Sequence, residues 1–159
     1  MSDVAYQWRP GTRLTIDDQA AGDTIEALRQ RSGGQITPAQ VVAAARSKRS
    51  VLHDAFEWDD TADAASYREQ QARHLIGALV IIETPAGKPR GMRAFVSITR
   101  EQGPGYTALG VAMSDAELRA QVVAGALREL QQWRERYEGY VELAAVHEAI
   151  ERATARRKD

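Results

Sequence analysis

Apolar residues recur at steps of three or four from Leu118 through Val122, Ala126, Leu130 and Trp133 to Tyr137, the spacing of one helix face. Ser114, with Glu117 three residues on, predicts a capping box at the start of that helix. Gly139 interrupts the run, and the apolar phase resumes at Leu143, Val146, Ile150 and Ala153. Unbroken, a helix over 115–155 would be about 60 Å long at 1.5 Å per residue. That is too long for one compact domain of this size. The segment therefore bends near Gly139, continues as a second helix, or projects to pair with another chain.

The same period appears earlier. A first helix is predicted from about Gln19 to Arg31, with Ala21, Ile25 and Leu28 as its stripe and Gly33-Gly34 as its stop. Thr37-Pro38 starts a second, with threonine as N-cap, proline at the first helical position, and Val41, Val42 and Ala45 facing inward. The gap from Ser32 to Ile36 is long for a helix-turn-helix, and alanines stand where a base-reading helix would show polar side chains. Ser50 can cap a short turn holding Leu52, Ala55 and Phe56. Asp59 or Asp60 is then expected to cap a long helix from about Thr61 to Gly77, with Ala65, Ala72 and Ile76 on one side.

At Leu79 the period changes from helical to strand. Three strands are expected, Leu79–Glu83, Met92–Thr99 and Tyr106–Met113, with turns at 85–89 and at Gly103-Pro104-Gly105. Val4, Tyr6 and Trp8 alternate as a short edge strand would. The fold class is α+β: N-terminal helices, a three-stranded antiparallel β-meander, and a long or bent C-terminal helix. The layout is one domain over 1–159, with an arm to residue 20, a helical part over 21–78, the meander over 79–113 and a C-terminal helical region over 114–156.

Composition narrows the function classes. The 159 residues are 43% hydrophobic and 27% charged, which reads as globular. With no cysteine, disulfides, Cys-ligated zinc and thiol catalysis are excluded. The longest apolar run, Ala78 to Ile82, is too short for a bilayer, and the N-terminus has no signal-peptide pattern, so a cytoplasmic protein is expected. A net charge of -1 argues against a globally basic nucleic-acid coat, though not against a local patch.

Three constellations could carry chemistry. The first is acidic: His53, Glu57, Asp59 and Asp60. On a continuous helix His53, Glu57 and Asp60 would share a side and could hold a hard divalent ion for phosphodiester hydrolysis, with helix capping and ion pairs to Arg68 and Arg73 as the alternative. The second is basic: Arg46, Lys48 and Arg49 at a helix end, Lys88, Arg90 and Arg93 on a hairpin, and Arg156 and Arg157 in the tail. Sharing one face, they would meet phosphates. The third is apolar: Leu130, Trp133, Tyr137 and Tyr140, which can close the chain's own core or form a contact between copies. No glycine-flanked nucleophile and no phosphate-binding loop appears, and no cofactor is expected.

Leu52-His53, Phe56-Glu57-Trp58-Asp59-Asp60, Ala64-Ala65, Tyr67-Arg68, Gln71-Ala72-Arg73 and Leu75-Ile76 resemble an uncharacterised family of small bacteriophage and prophage proteins. That family has proline before the leucine-histidine pair, where this chain has Val51. Ile36-Thr37-Pro38 and Arg136-Tyr137 extend the similarity. The resemblance implies a phage origin and no mechanism.

The leading expectation is a non-catalytic, phage-type accessory protein that self-associates and binds nucleic acid or a nucleoprotein partner. The alternatives are a protein–protein module, either an assembly factor or a host-protein inhibitor with an acidic face, and a metal-dependent hydrolase.

Overall fold

A computed structural model describes residues 4–59, 61, 63–83 and 90–156. The chain is α+β and clusters into two compact units, Met1–Met113 and Ser114–Asp159.

In the first unit, β1 (Tyr6–Trp8) leads into α1 (Asp18–Arg31), capped by the Asp17 carboxylate accepting from the Ala20 N–H at 2.7 Å. Gly33 and Gly34, at φ 77° and 94°, turn the chain after α1 in a conformation other residues resist. α2 (Pro38–Ala45) starts with the expected threonine cap and proline, and Gln40 completes a capping box with Thr37. The turn at His53–Ala55 is a single 3-10 turn, and α3 (Ala64–Ala78) follows. Its buried stripe is Ala64, Arg68, Ala72, Leu75 and Ile76, whereas Ala65 is exposed. Asp63 stands at the N-cap position of α3 and Asp59 lies further upstream; Asp60 is outside the described residues.

β2 (Leu79–Glu83) pairs antiparallel with β1 on one side and with β3 (Arg90–Arg93) on the other, aligning Tyr6 with Ile81 and Val80 with Arg93. β4 (Phe95–Arg100) and β5 (Gly103–Ala108) form a separate antiparallel pair. A three-stranded antiparallel sheet is thus present with the N-terminal strand as its third member. The stretch predicted as one strand over Met92–Thr99 divides at Ala94. The Ala94 N–H donates to the Leu79 carbonyl at 3.0 Å, and the Ala94 carbonyl accepts from the Leu109 N–H at 2.9 Å, so this residue joins the two ladders. Phe95 and Val96, adjacent at the start of β4, are both buried, so that end of the strand is covered on both faces, whereas Ser97 and Thr99 further along are exposed. Gly103-Pro104-Gly105 is no turn. It pairs with Arg100, Thr99 and Ile98 inside β5, and the reversal falls at Glu101-Gln102. The expected third strand stops at Ala108, where α4 (Leu109–Ser114) begins.

The core of this unit gathers Ile25, Ile36, Val41, Leu52, Leu75, Ile76, Leu79 and Phe95. Apolar area removed from water contributes about 25 cal/mol per Å². Tyr6 stacks on Phe95 at 6.1 Å between ring centroids, which ties the N-terminal strand to that core. The β5 edge is extended by Ile36, whose N–H and carbonyl both bond Tyr106, at 2.9 and 2.7 Å.

The second unit is helical. α5 (Ala116–Arg136) is capped by Asp115, whose carboxylate accepts from the Leu118 N–H at 2.9 Å. The capping box expected from Ser114 does not form, because Ser114 closes α4 and the next carboxylate takes the cap. α5 ends at Tyr137, before Gly139; a 3-10 turn over Val141–Leu143 leads into α6 (Ala144–Ala155). Of the options at Gly139, the second helix is what forms.

Candidate functional site

The aromatic and charged hub around Trp58 is built on the loop between α2 and α3. Trp58 stacks on the His53 ring at 5.1 Å with 10° between planes, and its indole N–H donates to the His53 carbonyl at 2.9 Å. The Arg68 guanidinium carbon lies 5.1 Å from the Trp58 ring centre and that of Arg46 lies 5.8 Å away, both within cation–π range. Arg68 is only 4% exposed and donates to the carbonyls of Glu57 and Asp59, each at 2.9 Å. A buried guanidinium sits in the apolar stripe of α3 because those loop carbonyls need donors.

Among its described members, His53, Glu57 and Asp59, the acidic constellation does not form a helical cluster. His53 belongs to a single turn that ends at Phe56 in extended backbone, so no continuous helix carries His53 and Glu57 on one side. Its Nδ1 lies 2.9 Å from the Ala45 carbonyl, Glu57 and Asp59 are exposed, and Asp60 is outside the described residues. Among the described residues no group of three His, Cys, Asp or Glu side chains could hold a metal ion. Arg73 pairs with Glu69 at 3.2 Å on the exposed side of α3.

The basic groups are distributed. Arg46, Lys48 and Arg49 are exposed together just after α2. Arg93 is exposed on β3 opposite Val80; Arg90 stands in that strand opposite Glu83; Arg156 follows α6 in the other unit. Lys88 and Arg157 lie outside the described residues.

The apolar group lies on the α5–α6 hairpin. α6 runs back along the last turns of α5: Arg134 pairs with Glu151, the His147 ring packs at 5.8 Å against Trp133, and His147 Nε2 lies 3.1 Å from the Tyr137 carbonyl. Trp133 and Tyr137 rings meet at 5.1 Å, and Tyr137 and Tyr140 at 5.9 Å. Trp133 is half-buried by these contacts, but Leu130 is 43% exposed and Tyr137 and Tyr140 are exposed too. Among the described residues of this unit, Leu118 and Ile150 are the apolar side chains counted as buried.

Sequence reasoning passed over two features. One is Val123, 44% exposed, seven residues before Leu130 and fourteen before Tyr137. A period of seven in the sequence would have marked it. The other is a polar knot under the Gly33-Gly34 turn. Arg29 clamps Glu26 with two bonds of 2.8 and 2.6 Å, while Arg29 Nη1 and the Thr107 hydroxyl both donate to the Gly34 carbonyl. Gln35 donates to the Gly103 carbonyl at 2.9 Å. This knot fastens the α1–α2 turn to the β4–β5 hairpin. The Arg29 hydrogen bond holds the Glu26 carboxyl below the ordinary carboxylate range against the opposing effect of burial, and Glu26 raises Arg29 in return.

No family model matches the chain, and neither a curated protein nor a solved structure does. Among the described residues no helix is long and apolar enough to cross a membrane.

Proposed function

We propose that this chain is a non-catalytic accessory protein that works by self-association, with the C-terminal hairpin as its assembly element. The observation that carries this reading is the exposure of Val123, Leu130, Tyr137, Tyr140, Val141 and Val146 on one helical hairpin. Monomeric soluble proteins rarely expose clustered apolar side chains without a use for them. A two-helix hairpin also cannot enclose a core, and bundles of three or four helices are the usual remedy. The Trp58 hub supports the non-catalytic part: His53 and Arg68 bond backbone carbonyls and brace a loop. Light scattering across a concentration series is the test. A mass above the 17.5 kDa of one chain is expected, and a mass of one chain throughout would overturn the reading.

A second reading, contact with nucleic acid, is favoured by one observation. Arg46, Lys48 and Arg49 are exposed within four residues, and the Arg46 guanidinium lies over the half-buried Trp58 ring. Cations next to an aromatic face suit phosphates and bases. Retardation of single-stranded DNA that fades steeply with added salt would support it, and no retardation at low salt would end it.

A further inference from the structure

Val123 and Leu130 on α5 and Tyr137 at its C-cap are 44%, 43% and 37% exposed and stand seven residues apart. A seven-residue repeat is the mark of a helix that meets another helix along a shared seam. Ala116 continues the series one repeat earlier, and Arg119, Ala126 and the part of Trp133 that His147 and Tyr137 leave uncovered take the alternate seam positions. Read along the helix, this seam is tapered. Its first half is small or charged, and its second half is large and apolar.

We infer that the seam is covered by the same helix of a second copy, running antiparallel, so that two hairpins join as a four-helix bundle. The inference rests on the self-association reading above and adds the partner and its direction. Volume favours the antiparallel arrangement. Seam layers in antiparallel pairs match alternate positions, so with Val123 set against Ala126 of the other copy, Trp133 meets Ala116 and Leu130 meets Arg119. Large groups then face small ones, and the Arg119 stem lies across Leu130 with its guanidinium beside the Trp133 ring. A parallel arrangement would stack Trp133 on itself and set Arg119 against Arg119, two like charges at one level.

Charge points the same way. In the antiparallel register Arg136, in the last turn, falls at the flank beside Asp115, the N-cap of the other copy, and the twofold repeats the contact. The end of each α5 carrying orphan carbonyls also meets the end carrying orphan N–H groups. The 21-residue helix spans about 32 Å, enough for a continuous seam.

Because the chain has no cysteine, single cysteines carrying spin labels can be placed at will. Labels at Glu117→Cys and Gln132→Cys in the full chain are offset along the axis by about 22 Å from their counterparts, and a label at Arg128→Cys by about 10 Å. The expected result is therefore a longer separation at the two outer positions than at the inner one. The double variant Val123→Glu/Leu130→Glu is expected to return the mass to 17.5 kDa, while Tyr67→Glu, on an exposed residue of the other unit, leaves it unchanged. An oligomer with equal short separations at all three labels overturns the antiparallel seam but leaves self-association standing. So does an oligomer that survives the double variant. A chain that is monomeric throughout overturns both.

Discussion

The ring of Tyr6 lies directly on the Cα of Gly22, closer than any side chain at that position would permit. β1 is thereby seated on α1, and Tyr6 can stack on Phe95 beyond it. An alanine in mid-helix normally gains about 1 kcal/mol over glycine. Here its methyl would collide with the rigid ring, and overpacking of a buried site costs about 1–3 kcal/mol. Gly22→Ala is therefore expected to destabilise the first unit despite its better propensity, by about 1–2 kcal/mol net, because a Cβ there would meet the ring at the severe end of overpacking. Urea unfolding of the variant is the check, and a variant as stable as the parent would show that Tyr6 yields easily.

The Glu26–Arg29 clamp sets an acid limit. The folded carboxyl titrates below its ordinary value, chiefly through its hydrogen bonds with Arg29. A depressed carboxylate contributes stability that is fully present above the unfolded value of about 4.3 and disappears as pH falls through the lower folded value. Stability should thus fall below about pH 4.3, and Glu26→Gln should flatten that limb while lowering stability at neutral pH. Urea midpoints measured at several pH values decide this. An equally steep acid limb in the variant would place the effect elsewhere.

Much of this architecture was readable from local pattern. Thr37-Pro38, the alternation of Val4, Tyr6 and Trp8, and the shift from helical to strand period at Leu79 each describe what neighbouring residues do, and each element is present. What escaped depends on distant partners. The division at Ala94 is set by Leu79 and Leu109, and pattern alone gives Met92–Thr99 no reason to break. Arg68 looks like a surface residue until the loop carbonyls it serves are folded onto α3. At Ser114 a valid cap signal lost to the adjacent Asp115. The hairpin seam was half legible: Leu130, Trp133 and Tyr137 follow the helical period, and the seven-residue step back to Val123 is in the sequence too, but its exposure is shown by the fold alone.

Arg68 is predicted to be the most sensitive position of the Trp58 hub. It bonds two carbonyls from a site 4% exposed, and its guanidinium faces the indole. Removing one partner of buried hydrogen bonds leaves the other unsatisfied, at about 1–3 kcal/mol for each group. Arg68→Met keeps the stem and loses the donors, so a loss of about 2–4 kcal/mol is expected. Arg68→Lys restores charge without the planar fork and should recover little of it. Denaturant midpoints measure the loss, and emission of Trp58 in a background with Trp8→Phe and Trp133→Phe reports whether the loop itself has moved. Full recovery by lysine would mean that charge alone holds the loop.

Thr107 is predicted to behave more gently. Its hydroxyl donates to the Gly34 carbonyl at 2.8 Å from a fully buried position, but Arg29 donates to the same oxygen. Thr107→Val keeps the shape and leaves that carbonyl with its second donor. A loss of about 0.5–1.5 kcal/mol is expected, the net worth of one hydrogen bond. A much larger loss would show that Arg29 cannot hold the Gly34 turn unaided.

Gly139 separates the hairpin's geometry from its glycine. Helix α5 is already closed at Tyr137, whose N–H bonds the carbonyls of Trp133 and Arg134, and Tyr140 bonds back to Tyr137. Gly139 does not adopt a positive φ, and a Cβ built there meets nothing within 4 Å. Alanine fits without strain and restricts the unfolded chain, which stabilises by about 0.4–1 kcal/mol at compatible sites. Gly139→Ala should therefore leave the hairpin intact and raise its stability slightly, read as slower amide exchange in α5 and α6. The opposite outcome, faster exchange on both helices, would mean that the reversal after Tyr137 needs the freedom only glycine has.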